Sequence, residues 1–326
     1  MTTDSPHRGL GGLSFLQLTG LSAYLGLMVW FFGFYHGYWE RTMSAAAWLA
    51  SAWNPETDYE HGWMVPLLCL YMLFHACCGL KGQAPEGGWR GSLHGLWVVL
   101  LGGLMGLLAV RTQQGRVAIA CIPFLLTGLV WCYWGRKAAL KCVFPFFFLW
   151  LSIPLPGFQQ ATVSMQLLAT QAAHWGAGLC GVQTIMEGTN ITSATGNWDT
   201  YNIAGGCSGM RSLMALIMIS TAWGYLADSL ALWKRVVLAF SAIPLSILAN
   251  AFRVASIFVC AEYVNPAFAS KTWHDWSGML FFFPASLLCL MLLHGLLAGE
   301  IPFLKRRKVV IRRAGQGNTE NGKEEA

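Results

Sequence analysis

Long apolar stretches separated by short polar segments run through most of the chain. Each stretch approaches the roughly 20 apolar residues that an α-helix needs to cross a bilayer. The pattern predicts about eight spans. They lie near residues 13–35, 63–80, 93–110, 117–134, 140–156, 207–226, 232–252 and 276–297. The predicted fold class is therefore an all-α polytopic membrane protein.

The composition agrees with this pattern. Hydrophobic residues make up 55% of the chain and charged residues 11%, whereas soluble domains carry about 25% charged residues. The net charge of +6 does not indicate nucleic-acid binding, because much of it follows the last apolar stretch. A basic cluster in that position is typical of a cytoplasmic stop. It comprises Lys305, Arg306, Arg307, Lys308, Arg312 and Arg313.

The connecting charges predict the topology. If the spans alternate, the basic connections around Lys137 and Lys234 share one side, and the acidic connection around Glu56 lies on the other. Basic connections favour the cytoplasm, so both termini are expected on the cytoplasmic side of a bacterial inner membrane. Arg111 and Arg116 are the exception. The predicted organisation is a cytoplasmic N-terminus at 1–12, one integral-membrane domain at 13–304 and a basic, then polar, cytoplasmic tail at 305–326.

Two further segments do not resemble simple spans. Residues 159–180 separate polar from apolar positions, which predicts an amphipathic helix in the outer interface or a re-entrant segment. Residues 181–206 are polar, and the stretches 182–185 and 200–203 predict a short β-hairpin in an outer loop. In the predicted helix the polar residues lie near one face and the apolar residues toward another. The polar residues are Gln160, Ser164, Gln171 and His174, and the apolar residues are Val163, Leu167 and Leu168.

The chain has ten cysteines, and most lie inside apolar stretches where cysteine behaves as a small hydrophobe. No paired CxxC spacing occurs, so neither a metal nor a cofactor is expected. Cys207 differs because it follows the polar loop and precedes a predicted span. A helix N-terminus and Arg211, one turn on, would both favour a thiolate there. A small buried residue at a helix start is the other interpretation.

Two other residues interrupt apolar sequence at the predicted outer face. Arg253 follows an apolar stretch, with Asn250 three residues earlier, and His274 precedes the last predicted span. Each also fits an ordinary interface residue, since arginine and histidine anchor spans at headgroups. Together with Cys207, they supply the nucleophile, cation and proton carrier that acyl transfer requires.

At these positions the chain resembles the exosortase/archaeosortase family. The early motif is His61-Gly62 followed by Val65-Pro66. The later motifs are Cys207-Ser208-Gly209-Met210-Arg211, Asn250-Ala251-Phe252-Arg253, and His274 with Gly278. Further matching segments are Phe144-Pro145-Phe146-Phe147-Phe148 and Ile153-Pro154-Leu155-Pro156.

This resemblance implies eight spans and a Cys207–Arg253–His274 triad at the outer face. Cys207 would attack, His274 would act as acid and base, and Arg253 would stabilise the oxyanion or the thiolate. The implied partners are membrane lipid and exported proteins that end in a Pro-Glu-Pro-like motif, a transmembrane helix and a basic cluster. Family members often accompany exopolysaccharide production. Residues expected around the substrate are Arg211, Asn250, Ser208, Gly206 and His61.

Two matters stay open on the sequence. The acyl acceptor is either water, which makes the protein a protease, or an amine, which makes it a transpeptidase. The other class of function is a transporter or a non-catalytic component of an envelope polysaccharide export system. Cys207 separates the classes, because neither rival needs its thiol.

Overall fold

A computed structural model describes residues 15–79, 92–156, 158–203 and 209–299. These residues are mostly helical, which confirms the all-α membrane class. The predicted terminal segments at 1–12 and 305–326 lie outside the described residues. The helices are α1 Phe15–Gly33, α2 Ala45–Ser51, α3 Met64–Cys78, α4 Ser92–Thr112, α5 Gly115–Phe148, α6 Phe158–Leu179, α7 Met210–Leu226, α8 Leu232–Phe240, α9 Ala242–Tyr263 and the C-terminal helix Pro266–Ala298.

Within the described ranges, five helical segments are long and apolar enough to cross a bilayer. The helices α1 and α7 are also apolar, with 19 and 17 residues. The number of spans, about eight by sequence, stays a prediction. The five segments are Glu60–Cys78, Leu93–Thr112, Gly115–Ser152, Leu232–Tyr263 and Pro266–Ala298.

The long helix α5 folds back on itself at Gly135. The backbone there has φ 85° and ψ 176°, a conformation that glycine tolerates and other residues rarely adopt. Residues at similar distances on either side then meet: the Phe124 and Phe147 rings lie 5.0 Å apart, and Trp150 Nε1 donates to the Ala120 carbonyl. Two antiparallel helices therefore occupy the predicted stretch 117–134 and most of the predicted stretch 140–156, where the helical segment ends at Ser152.

The helices that carry Arg253 and His274 extend past both residues. Asn265 caps the C-terminal helix by accepting a hydrogen bond from the Phe268 N–H at 3.0 Å, with Pro266 in the first turn. Likewise, α9 continues to Tyr263. The predicted helix ends at 252 and 276 were wrong, because the two polar residues lie within helices instead of marking their boundaries.

The extended helix ends pack with the polar loop and with α6. The loop forms a three-stranded antiparallel sheet, β1 Thr184–Glu187, β2 Asn190–Ser193 and β3 Tyr201–Asn202, in the order β1-β2-β3. A hairpin was therefore correctly expected. The pairing of 182–185 with 200–203 was wrong, because β2 lies between the two predicted strands.

The polar loop, α6 and α9 share a hydrophobic core. Trp198 stacks on Phe258 of α9, with ring centroids 5.5 Å apart. Glu262 accepts hydrogen bonds from Thr195, Asn197 and Trp198, so α9 holds the loop at both an apolar and a polar point. The polar loop is thus packed onto α9.

The helix predicted at 159–180 is present as α6. Its buried residues are small, including Ala169, Ala173 and Ala177, and Gly176 leaves room for Ala255 of α9. Close helix packing in membranes commonly uses such small residues. The large apolar residues Val163, Leu167 and Leu168 are exposed instead. The choice between interfacial and re-entrant helix remains a prediction.

Basic residues from two connections gather at one end of the bundle, called here the basic end: Lys141, Lys234 and Arg235. Lys141 donates to the Gly79 carbonyl, and its own carbonyl accepts from Tyr225. Tyr225 lies near the last residue of α7. Because Cys207 precedes the first residue of α7, the basic end and the start of α7 lie at opposite ends of that helix.

Candidate active site

The start of α7 is held by α9. Gly209 precedes the helix at φ +78°, and a Cβ there would lie 2.7 Å from Cγ of Asn250. Asn250 is itself 5% exposed. The glycine therefore permits both the left-handed backbone and the close approach of the amide. The predicted residues Gly206, Cys207 and Ser208 lie outside the described residues.

Arg253 lies one turn after Asn250 and joins α9 to the C-terminal helix. Its Nη2 donates a hydrogen bond to the His274 carbonyl at 3.1 Å. Its Nε is buried and has no hydrogen-bond partner among the described residues. A Cβ at Gly278 would lie 3.1 Å from this Nε, so the guanidinium packs directly on the glycine.

His274 lies between two π-helical segments, Ala269–Trp273 and Gly278–Phe282. Such segments are rare, and they often occur at functional sites because they shift side chains out of regular register. The His274 side chain is 33% exposed, and its Nδ1 lies 2.9 Å from Oδ1 of Asp275. A carboxylate in that position favours a proton on Nδ1 and leaves Nε2 as the basic nitrogen.

Arg211 is engaged by carboxylates. Its Nε donates to Oδ1 of Asp58 at 2.8 Å, and Glu60 lies 3.8 Å away. Its Nη2 donates to the Pro55 carbonyl at 3.0 Å. Asp58 is 8% exposed, which makes this pair a clamp between the first turn of α7 and the segment before α3. Much of the Arg211 charge is therefore compensated.

His61 lies beside that clamp. Its ring is 7% exposed, and Nε2 is 3.3 Å from the Leu151 carbonyl. Tyr59 packs on the ring at 5.2 Å, and its hydroxyl accepts a hydrogen bond from Leu155 N–H. Burial raises the pKa of Tyr59, so its hydroxyl stays neutral. The early motif thus joins the segment before α3 to the segment after α5.

These residues surround a cavity of about 650 Å³. Its polar wall comes from the segment before α3, from α7, from α9 and from the C-terminal helix. Arg253, Asp275 and Gly278 contribute to that wall, whereas His274 meets Arg253 through its carbonyl. The polar lining residues include Asp58, Glu60, His61, Arg211, Ser212, Asn250, Arg253 and Asp275. Four separate parts of the sequence therefore meet at one site.

A family comparison covers all of these parts. The family model described as "Transmembrane exosortase" (EpsH type) matches residues 53–292, which is most of the chain. The chain belongs to the transmembrane exosortase family. Searches of curated proteins and of solved structures each found no similar chain.

Two site residues of this exosortase were missed by the sequence analysis. Asp275 had a signal, because a carboxylate directly after a candidate catalytic histidine is within reach of its ring. Asp58 had none, since its partner Arg211 is distant in the chain and only the fold brings them together. Gly278 was part of the resemblance, and its contact with Arg253 supplies a physical reason for that glycine.

Proposed function

We propose that this exosortase is a membrane-embedded cysteine peptidase or transpeptidase that cleaves the C-terminal sorting tail of exported proteins through a thioester. The contact that carries this proposal joins Arg253 Nη2 to the His274 carbonyl at 3.1 Å. It joins two of the three residues to which this proposal gives roles in acyl transfer, and they come from helices that sequence alone leaves separate. The third, Cys207, is two residues from Gly209.

Chain connectivity limits how far Cys207 can be from that pair. Two peptide units extend at most about 7 Å, and Gly209 packs on Asn250, one helical turn before Arg253. On this basis the proposal assigns Cys207 to the same region as the guanidinium. A thiolate at Cys207 would attack the scissile carbonyl, forming an Sγ–C bond and a tetrahedral oxyanion.

Arg253 is suited to stabilise that oxyanion. Its Nη2 is fixed by the His274 carbonyl, while its buried Nε lacks a hydrogen-bond partner among the described residues. A guanidinium has five N–H donors in a rigid plane, so one can anchor the group while others face the substrate. A fixed donor of this kind stabilises charge without reorganisation during the reaction.

His274 would carry the proton. It protonates the departing amine as the C–N bond breaks, which leaves the acyl group on Cys207 and releases the tail. It then removes a proton from water or from an acceptor amine, which attacks the thioester; the C–S bond breaks, and the Cys207 thiolate and the protonated His274 are restored. Asp275, at 2.9 Å from Nδ1, would orient the ring for both steps.

We further propose that this site faces the periplasm and that both termini lie in the cytoplasm of a bacterial inner membrane. The support is the position of the basic end, which lies at the opposite end of α7 from the candidate site. Basic connections are retained in the cytoplasm. This orientation gives the site access to proteins already exported across the membrane.

The processing of a tailed reporter tests the proposed function. Cells carrying this exosortase and an exported protein with a C-terminal sorting tail should convert it to a shorter form on a gel. Cys207→Ala should abolish the conversion, because no acyl enzyme can form. Cys180→Ala is the matched control, since Cys180 is exposed and lies outside the site. Normal processing by Cys207→Ala would end the proposal.

A further inference from the structure

A second cavity, of about 540 Å³, adjoins the candidate active site. Both cavities are lined by Met64 of α3 and Ile219 of α7, so they lie next to each other along α7, and together they are called the groove here. The groove follows α7, with α3 on one side and the C-terminal helix on the other. Arg253 borders one end of it, and Asp228 and His294 border the other.

The groove has the lining expected for helix packing. Many of its residues are small: Ser212, Ala215, Ala222, Ser246, Ala249 and Ser286. Small side chains allow a second helix backbone to approach closely within a membrane. Ser246 is 3% exposed, and its Oγ has no hydrogen-bond partner among the described residues. A buried hydroxyl without a partner is unfavourable in an apolar environment, and an occupant could satisfy it.

The length of the groove identifies an occupant that crosses the bilayer. The helix α7 has 17 residues, which at about 1.5 Å per residue gives roughly 25 Å. That is close to the hydrocarbon thickness of about 30 Å. One lipid acyl chain covers only about half of this thickness, so it would leave one cavity unfilled. An apolar transmembrane helix matches the whole groove.

Charge at the far end agrees with a helix that is followed by basic residues. The Asp228 side chain is 68% exposed, and its ion pairs with His75 and Arg235 are long, at 3.6 and 3.5 Å. The carboxylate therefore has room for a further cation. Its position at the basic end is where the cytoplasmic side of a spanning helix would emerge.

We propose that this groove holds the transmembrane helix of the sorting tail, so that the peptide preceding the helix reaches Arg253. This inference rests on the proposed function for the identity of the partner. It adds the path that the tail follows along α7. It also makes the groove, rather than the candidate catalytic residues alone, responsible for selecting proteins that carry an apolar helix after the cleavage motif.

Photocrosslinking in intact membranes tests the groove. A photoreactive amino acid replaces Ile219 in the full-length Cys207→Ala protein, which retains uncleaved substrate. The probe is an exported protein of the same cell that ends in a motif, an apolar helix and a basic cluster. Leu104 of α4 is the matched control, because it is 64% exposed on a surface away from the groove. We expect an adduct with the probe from position 219 and none from position 104.

A filling variant gives an independent measurement. Ala215→Phe should obstruct the groove and reduce processing of the tailed probe at least tenfold, with Leu104→Phe as its control. An adduct at 219 supports the groove even if processing proves independent of Cys207, which would contradict only the proposed function. Three results would overturn the assignment of the groove to the tail helix, each with processing that still depends on Cys207. They are no adduct at position 219, adducts with lipid alone at that position, and full processing by Ala215→Phe protein that is inserted in the membrane.

Discussion

Arg253 donates a hydrogen bond from Nη2 to the backbone carbonyl of His274, 3.1 Å away. The bond links the side chain of one candidate catalytic residue to the main chain of another. Because the acceptor is a carbonyl, the His274 ring is left to interact with Asp275. One arginine can thus align α9 with the C-terminal helix and still line the cavity with its side chain.

This geometry predicts that lysine cannot replace Arg253. Lysine has one compact ammonium, so it cannot hold the His274 carbonyl and contact an oxyanion in the fixed geometry of a guanidinium. We expect Arg253→Lys to lower kcat for tail removal about 100-fold or more. The measurement is the processing rate of a tailed substrate by purified, lipid-reconstituted protein.

Arg211→Lys is the matched comparison. Its ammonium can still pair with Asp58, although the second bond to the Pro55 carbonyl is lost. We expect a milder loss of turnover, together with lower thermal stability because the clamp before α3 is weakened. Comparable kcat losses in both lysine variants would mean that Arg253 is another structural anchor.

Gly278→Ala probes the position of the guanidinium without changing any candidate catalytic group. The added methyl would lie 3.1 Å from Nε and 3.2 Å from Cζ of Arg253, so the guanidinium must move. A misplacement of about 1 Å can cost about 10²-fold in rate, and the guanidinium here must shift by a few tenths of an ångström, so we expect about a tenfold lower kcat. Gly103→Ala is the control, since its methyl would meet no atom within 4 Å. Equal activity in the two variants would refute the positioning role.

Comparing Gly209→Ala with Gly188→Ala separates the effect of backbone strain from the effect of contact with Asn250. Both Gly209 and Gly188 have positive φ, but only a Cβ at 209 meets another residue, 2.7 Å from Asn250 Cγ. We expect Gly188→Ala to lower stability by about 1–2 kcal/mol and to retain processing. Gly209→Ala should lose processing as well, because the α7 start moves relative to α9. Thermal unfolding and substrate processing are measured together. Full processing by Gly209→Ala would show that this packing is dispensable.

Asp275→Asn tests the orientation of His274. Asparagine preserves the size of the side chain but removes the charge 2.9 Å from Nδ1. We expect at least a tenfold fall in kcat with little change in KM, since binding does not require this carboxylate. Asp199→Asn, in the exposed loop, should leave both constants unchanged. A change confined to KM would assign Asp275 to substrate binding instead.

The sequence predicted much of the fold for physical reasons that the structure makes clear. Apolar length identified helices, and the basic connections grouped Lys141, Lys234 and Arg235 at one end. The turn at Gly135 lies where the sequence separates 117–134 from 140–156. Helix ends at 252 and 276 were wrong, because a half-buried arginine between packed helices was indistinguishable from one at an interface.

The site was predictable at the level of residues and not at the level of contacts. His274, Arg253 and Asn250 stood out because polar groups are costly in apolar helices. Their partners depend on tertiary structure: Asp58 meets Arg211, and Gly278 makes space for Arg253. The packed face of α6 was missed because alanines carry little hydrophobic signal while filling a close helix contact.

The most direct measurement of the central claim is the chemical form of the product when hydroxylamine is present. A thioester on Cys207 would be captured by this nucleophile, which forms a bond to the acyl carbon as the thiolate leaves. Mass spectrometry of the processed protein should then find a C-terminal hydroxamate, absent with Cys207→Ala. Processing that yields only the carboxylic acid at saturating hydroxylamine would contradict a covalent cysteine mechanism.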